Sequence, residues 1–179
     1  MSVPSQDSPQ GSPHDLEAWE AVEDGVELIR EGFLDEAQAF LEGLEASQPD
    51  NAYVHAHLGH IAFQKEHFAA ALKHYVQALK LQPRFLSVSL GCVWTLRHLN
   101  RSDEAVRLAV EALRFYPEDS DLLYALGTLH HARGELTAAR HFLEAWRKFG
   151  RNAEQGAVVS ALLADMDGPD PDAIEVDMN

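Results

Sequence analysis

Apolar residues recur along this chain at the three- and four-residue steps of amphipathic helices. Leu58 with Ile61, and Val93 with Leu96, are pairs of this kind. Near the end, Val158, Val159, Leu162 and Leu163 form one apolar side between polar neighbours. No stretch alternates with a period of two, and Val and Ile are sparse. The pattern predicts helices throughout and no sheet.

A longer period lies over the helical one. Ala37, Ala71, Ala105 and Ala139 stand 34 residues apart. Pro49, Pro83 and Pro117 keep the same step, as do Ala78 and Ala112. Gly25, Gly59 and Gly127 agree, with Val93 in the third slot. Gly32, Asn100 and Gly134 also agree, with Glu66 as the exception. A fixed period of this length predicts one helical hairpin, repeated and stacked. Small residues mark close helix approaches, and Gly or Asn marks a left-handed residue after the first helix. Proline marks the stop of the second helix. Four units follow, 18–51, 52–85, 86–119 and 120–153.

The second unit reads His55-x2-Leu58-Gly59-x2-Ala62, then Ala71-x3-Tyr75, Ala78 and Pro83. It resembles the tetratricopeptide repeat, whose pattern is W-x2-L-G-x2-Y, then A-x3-F and P. The third unit has Ser89, Cys92 and Val93 in the W, L and G slots. The fourth keeps Leu126-Gly127 and Ala139, but has Trp146 where a small residue is usual and Arg151 in place of Pro. The resemblance implies an all-α fold, a right-handed superhelix of four helical hairpins plus a C-terminal capping helix.

That cap is expected over 152–166, with Asn152 as its N-cap. A solenoid needs such a terminal element to cover its last open face. Residues 1–17 are expected to be a disordered N-terminal segment, because the first fourteen are rich in Ser, Pro, Gln and Gly. They hold no apolar run, so neither a signal peptide nor an anchor is expected, and the expected location is cytoplasmic. Residues 167–179 are acidic, contain Pro, and are expected to be a disordered tail.

Charge narrows the partners. With 29 acidic against 14 basic residues the net charge is −15, which disfavours nucleic acid and anionic membranes. The single cysteine, Cys92, excludes an intrachain disulfide and reads as a small buried apolar residue. Ten histidines raise the question of a metal. His57 and His60 share a helix side, with His55 off that line, while His130 and His131 are adjacent. There is no HExxH, CxxC or calcium-type carboxylate loop, so no metal site is expected. No phosphate loop or nucleophile motif occurs, so no cofactor and no enzymatic activity are expected.

In the tetratricopeptide family the inner surface is lined by the first helix of each repeat, at its second, fifth, ninth and twelfth positions. The resemblance places Trp19, Val22, Val26 and Ile29 there from the first unit, and Tyr53, Ala56, His60 and Phe63 from the second. It adds Leu90, Trp94 and Arg97 from the third unit, after Ser87, and Tyr124, Thr128 and His131 from the fourth, after Asp121. The list is apolar for a solvent face, with Phe63 and Trp94 as the leading anchors. The Lys, Arg and Asn clamp with which some relatives hold a carboxylate tail is missing at Val22, Val26, Ala56, His60, Ser87 and Gly91.

The resemblance therefore implies a protein-binding module that takes an apolar or aromatic partner segment in its concave groove. In size, acidity and groove character the chain is also similar to the cytosolic repeat chaperones of bacterial type III secretion translocators. The alternative is an assembly scaffold, with the same apolar face used for self-association, possible as a homodimer.

Overall fold

A computed structural model describes residues 13–168. Among the described residues there are ten α-helices and no strand. They are α1 Pro13–Glu20, α2 Glu23–Glu31, α3 Leu34–Ser47, α4 Ala52–Gln64 and α5 Phe68–Leu81. There follow α6 Leu86–His98, α7 Ser102–Leu113, α8 Ser120–Ala132, α9 Leu136–Phe149 and α10 Ala153–Asp167. The chain forms two compact units, one up to Leu108 and one from Ala109, with the division inside α7.

Local chemistry explains the helix ends. Asn51 caps α4, its side chain accepting from the backbone N–H groups of Tyr53 and Val54. Asp119 accepts from Leu122 at the start of α8, and Asn152 from Gln155 at the start of α10. Each cap satisfies donors that a helix leaves unpaired at its start. The turns after α2, α4, α6 and α8 each contain one residue with positive φ. These are Gly32 at 89°, Glu66 at 60°, Asn100 at 58° and Gly134 at 73°. Glu66, the exception to the sequence pattern, adopts the same left-handed turn as its counterparts.

In the first unit, α2 packs on α3, α3 on α4, α4 on α5 and α5 on α6. Ala37, Ala71 and Ala78 are fully buried at these crossings. In the second unit, α8 packs on α9, and α10 closes against both. One core cluster there consists of Leu123, Leu143, Trp146, Val159 and Leu163. Trp146 fills space that a smaller residue would leave: it lies against Gly150 and Gly156, and its Nε1 donates to Gln155 Oε1 at 3.2 Å.

Two expectations change at the N-terminal side. The segment expected to be disordered through residue 17 is helical from Pro13. Long-range bonds hold it: Tyr53 Oη donates to Asp15 Oδ1 at 2.9 Å, and Asn51 Nδ2 donates to the Ala18 carbonyl at 2.9 Å. The first helix of unit one is also broken, because the chain turns at Ala21 and Val22 between α1 and α2. Residues 1–12 and 169–179, including most of both segments expected to be disordered, lie outside the described residues.

Candidate functional site: an apolar groove on the first unit

The break between α1 and α2 re-aims the first-unit side chains. Val22, at the break, is fully buried, so it is a core residue and does not face a groove. Tyr53 is also core, at 1 % exposure. Trp19 covers its ring edge-on at 5.3 Å and Phe85 does so at 5.4 Å. The sequence pattern cannot show this, because a uniform helix register ignores the turn that brings Trp19 over Tyr53.

Five of the remaining candidates do converge. Trp19, Val26, Ile29, Ala56 and His60 line one open cavity of about 460 Å³. His57, Tyr75, Phe85, Ser87 and Val88 complete its wall, with Arg30 at its edge. Four of these five extra residues were not candidates: His57 sits beside His60 on α4, and Tyr75, Phe85 and Val88 come from α5 and the start of α6. Ala56 is nearly buried at the base, which makes it a floor. The guanidinium of Arg30 is paired with Glu27, which offsets the charge it brings to the rim.

The histidines of the groove are held neutral. Burial, with a smaller contribution from nearby His60, pushes His57 down to about 4. Burial also lowers His60, whose Nε2 meets Gln64 Nε2 at 2.7 Å. At neutral pH the cavity therefore presents rings and aliphatic carbons with little charge.

The other candidates belong to separate surroundings. Phe63 stands in an aromatic cluster, 5.5 Å from both Phe68 and His98, while those two rings stack at 4.3 Å. It packs partly buried against the core, which gives it a structural role as well. Leu90 is half-buried on α6, and Trp94 is half-buried beneath the guanidinium of exposed Arg97, 5.5 Å from its ring centre. In the second unit, Tyr124 packs on the core and Thr128 Oγ1 donates to the Tyr124 carbonyl at 3.0 Å. His131 Nε2 lies 3.6 Å from Asp165 of α10. Cys92 is buried, and burial pushes its thiol up to about 11, so it is an inert core residue.

Two family models described as tetratricopeptide repeat match, one over residues 52–85 and the other over 101–166. The chain belongs to the tetratricopeptide repeat family. No curated protein matches the sequence. Among solved structures, a tetratricopeptide repeat protein from Parabacteroides merdae aligns with a TM-score of 0.73 at 19% identity, covering 84% of this chain. The present chain spans only 60% of that protein. MamA from Desulfovibrio magneticus aligns with a TM-score of 0.73 at 14% identity, covering 84% of this chain and 86% of its own. Yeast Tom70 gives a TM-score of 0.73 at 16% identity, over 84% of this chain and 34% of its own. These likenesses establish the fold. A tetratricopeptide repeat scaffold is a protein-interaction module, and its partners are proteins. Among the described residues no helix is long and apolar enough to cross a membrane.

Proposed function

We propose that this tetratricopeptide repeat protein binds an apolar or aromatic segment of a partner protein in the groove between α2, α4 and the start of α6. The observation that carries this reading is the cavity walled by Trp19, Val26, Ile29 and Phe85 and kept nearly uncharged. An apolar segment would remove these side chains from water, at roughly 25 cal/mol per Å² of apolar area. A charged tail would find one cation here, Arg30, already paired with Glu27. The module acts without catalysis, in the cytoplasm, and a chaperone role for secreted proteins is one form of it.

The second reading is self-association through the same face. Two measurements separate them. Sedimentation of purified protein reports the assembly state directly. Affinity capture from the source cells is compared among the wild type, Ile29→Asp and Arg107→Ala, the last an exposed residue of α7 that does not line the cavity. The groove reading expects a monomer and a partner that is lost with Ile29→Asp and kept with Arg107→Ala. A stable oligomer that Ile29→Asp dissociates would establish the scaffold. A partner retained by Ile29→Asp would move the site away from this groove.

A further inference from the structure

On the first unit, away from the apolar groove, three side chains from three helices converge. Glu45 comes from the last turns of α3, His55 from the first turn of α4 and His74 from the middle of α5. His55 Nδ1 lies 3.3 Å from Glu45 Oε1, and His74 Nδ1 lies 3.7 Å from the same oxygen. The three candidate donor atoms all fall within 4.8 Å of one another. The two imidazoles are stacked, with centroids 6.0 Å apart and planes 29° apart.

The protonation pattern is set by the backbone. His55 Nε2 lies 2.8 Å from the Pro49 carbonyl oxygen. A carbonyl oxygen only accepts, so Nε2 carries the proton and donates. A neutral His55 therefore presents a bare lone pair at Nδ1. That atom is buried and has no hydrogen-bond partner among the described residues. The residue as a whole is 5 % exposed. His74 turns its own Nδ1 to the same place. In that tautomer the His55 lone pair and the Glu45 carboxylate oxygen, both acceptors, face one another at 3.3 Å, with the His74 ring nitrogen beside them. Such a set of acceptors is costly unless a cation completes it.

We propose that Glu45, His55 and His74 form a binding site for a divalent transition metal ion, with Zn²⁺ the best match. Zinc takes imidazole nitrogen and carboxylate oxygen at about 2.0–2.2 Å in tetrahedral geometry, which sets ligand–ligand edges near 3.4 Å. The 3.3 and 3.7 Å separations bracket that value. His74 is partly exposed and has room to close the remaining edge by a small rotation. The Pro49 carbonyl plays the outer-shell part that fixes the tautomer of a ligating histidine. Calcium and magnesium fit poorly, since they call for mostly oxygen ligands and the cluster supplies one carboxylate.

Glu45, His55 and His74 all line an open cavity of about 600 Å³ that Lys73, Gln77 and Lys80 also border, so a fourth coordination position would open onto it. Water fills it most simply. Because α3 precedes the α4–α5 hairpin and packs on α4, the ion would clip two successive hairpins together. Metal binding is then folding free energy, and removal of the ion loosens that junction.

The test uses the full chain, treated with chelator and then titrated with Zn²⁺ alone by calorimetry and by thermal unfolding. Saturable binding of one ion per chain with a raised Tm is expected. Glu45→Gln and His74→Gln, both at partly exposed positions, should each lower the affinity at least tenfold and remove the Tm shift. Both should fold, as circular dichroism without metal would verify. His141→Gln, at an exposed position outside the cluster, should bind as the wild type does. Co²⁺ in place of zinc should give the visible absorption of a tetrahedral site, lost in the same two variants. Absence of saturable binding would overturn the proposal. So would binding that persists unchanged in both variants, because other histidines would then carry it.

Discussion

Tyr75 lies so close over Gly59 that a β-carbon on the glycine would sit 2.6 Å from Tyr75 Cδ1. The same ring leaves only 2.7 Å to a β-carbon on Gly91, so α5 meets α4 and α6 through one aromatic plane between two glycines. Tyr75 is nearly buried and cannot swing into solvent without opening the core. Gly59→Ala should therefore cost about 1–3 kcal/mol through overpacking, although alanine is the better helix former. Equilibrium urea unfolding measures this. A variant as stable as the wild type would mean that Tyr75 can yield.

The repeat made much of this visible in advance. The alanines and prolines of the 34-residue ladder mark helix crossings and helix ends, and both are repeated backbone requirements. Glu66 shows where such reading stops, because its turn has the same left-handed backbone while its residue type conceals it. The family pattern assigns Val22 and Tyr53 to the groove because it assumes one straight first helix in unit one, whereas both are buried. Trp19 reached its position over Tyr53 through a turn at Ala21 and Val22 that carries no Gly or Pro signal. Glu45, His55 and His74 lie on three helices with no local motif, so only the fold brings them together.

Glu66 at φ 60° carries a cost that its glycine counterparts avoid. The left-handed region disfavours a side chain by about 1–2 kcal/mol, and glycine returns part of that as extra freedom in the unfolded chain. Glu66→Gly should stabilise the protein by about 0.5–1 kcal/mol. Glu66→Val, β-branched at the same turn, should destabilise it. Denaturation midpoints of the two variants on either side of the wild type would show the strain directly.

The groove histidines make stability depend on pH. In the unfolded chain His57 has its ordinary value of 6.5, and in the fold it is lowered to about 4. Between those values the unfolded state binds more protons, so stability rises with pH. The contribution is complete above 6.5 and is lost as pH falls toward 4. His57→Gln should flatten this slope by up to one proton, measured as the urea midpoint across that window. An unchanged slope would place the acid sensitivity elsewhere.

Phe63 separates stability from binding. Its ring is packed against Phe68 and His98, and it joins the first-unit core from the side. Phe63→Ala should cost about 2–3 kcal/mol in folding, somewhat less than for a fully buried aromatic. Ile29→Ala trims a groove wall that is only partly buried and should cost less than this. A Phe63→Ala variant that folds as stably as the wild type would return Phe63 to the list of binding anchors.

Val159 tests the closing helix of the second unit. It is fully buried in the core with Leu123, Leu143, Trp146 and Leu163, and it projects from α10, the last helix among the described residues. Its neighbours Val158 and Ser160 are exposed, so only this face of the helix is committed to packing at that turn. Val159→Asp would place a carboxylate among apolar side chains and should cost about 4 kcal/mol or more. Val158→Asp, one residue earlier and facing solvent, should change stability by no more than about 0.5 kcal/mol. The contrast is read by hydrogen exchange as well as by denaturation. If α10 is the cap of this unit, Val159→Asp should raise exchange in α9 as well as in α10, because Trp146 loses its cover. Equal behaviour of the two aspartate variants would mean that α10 does not close the core through this face.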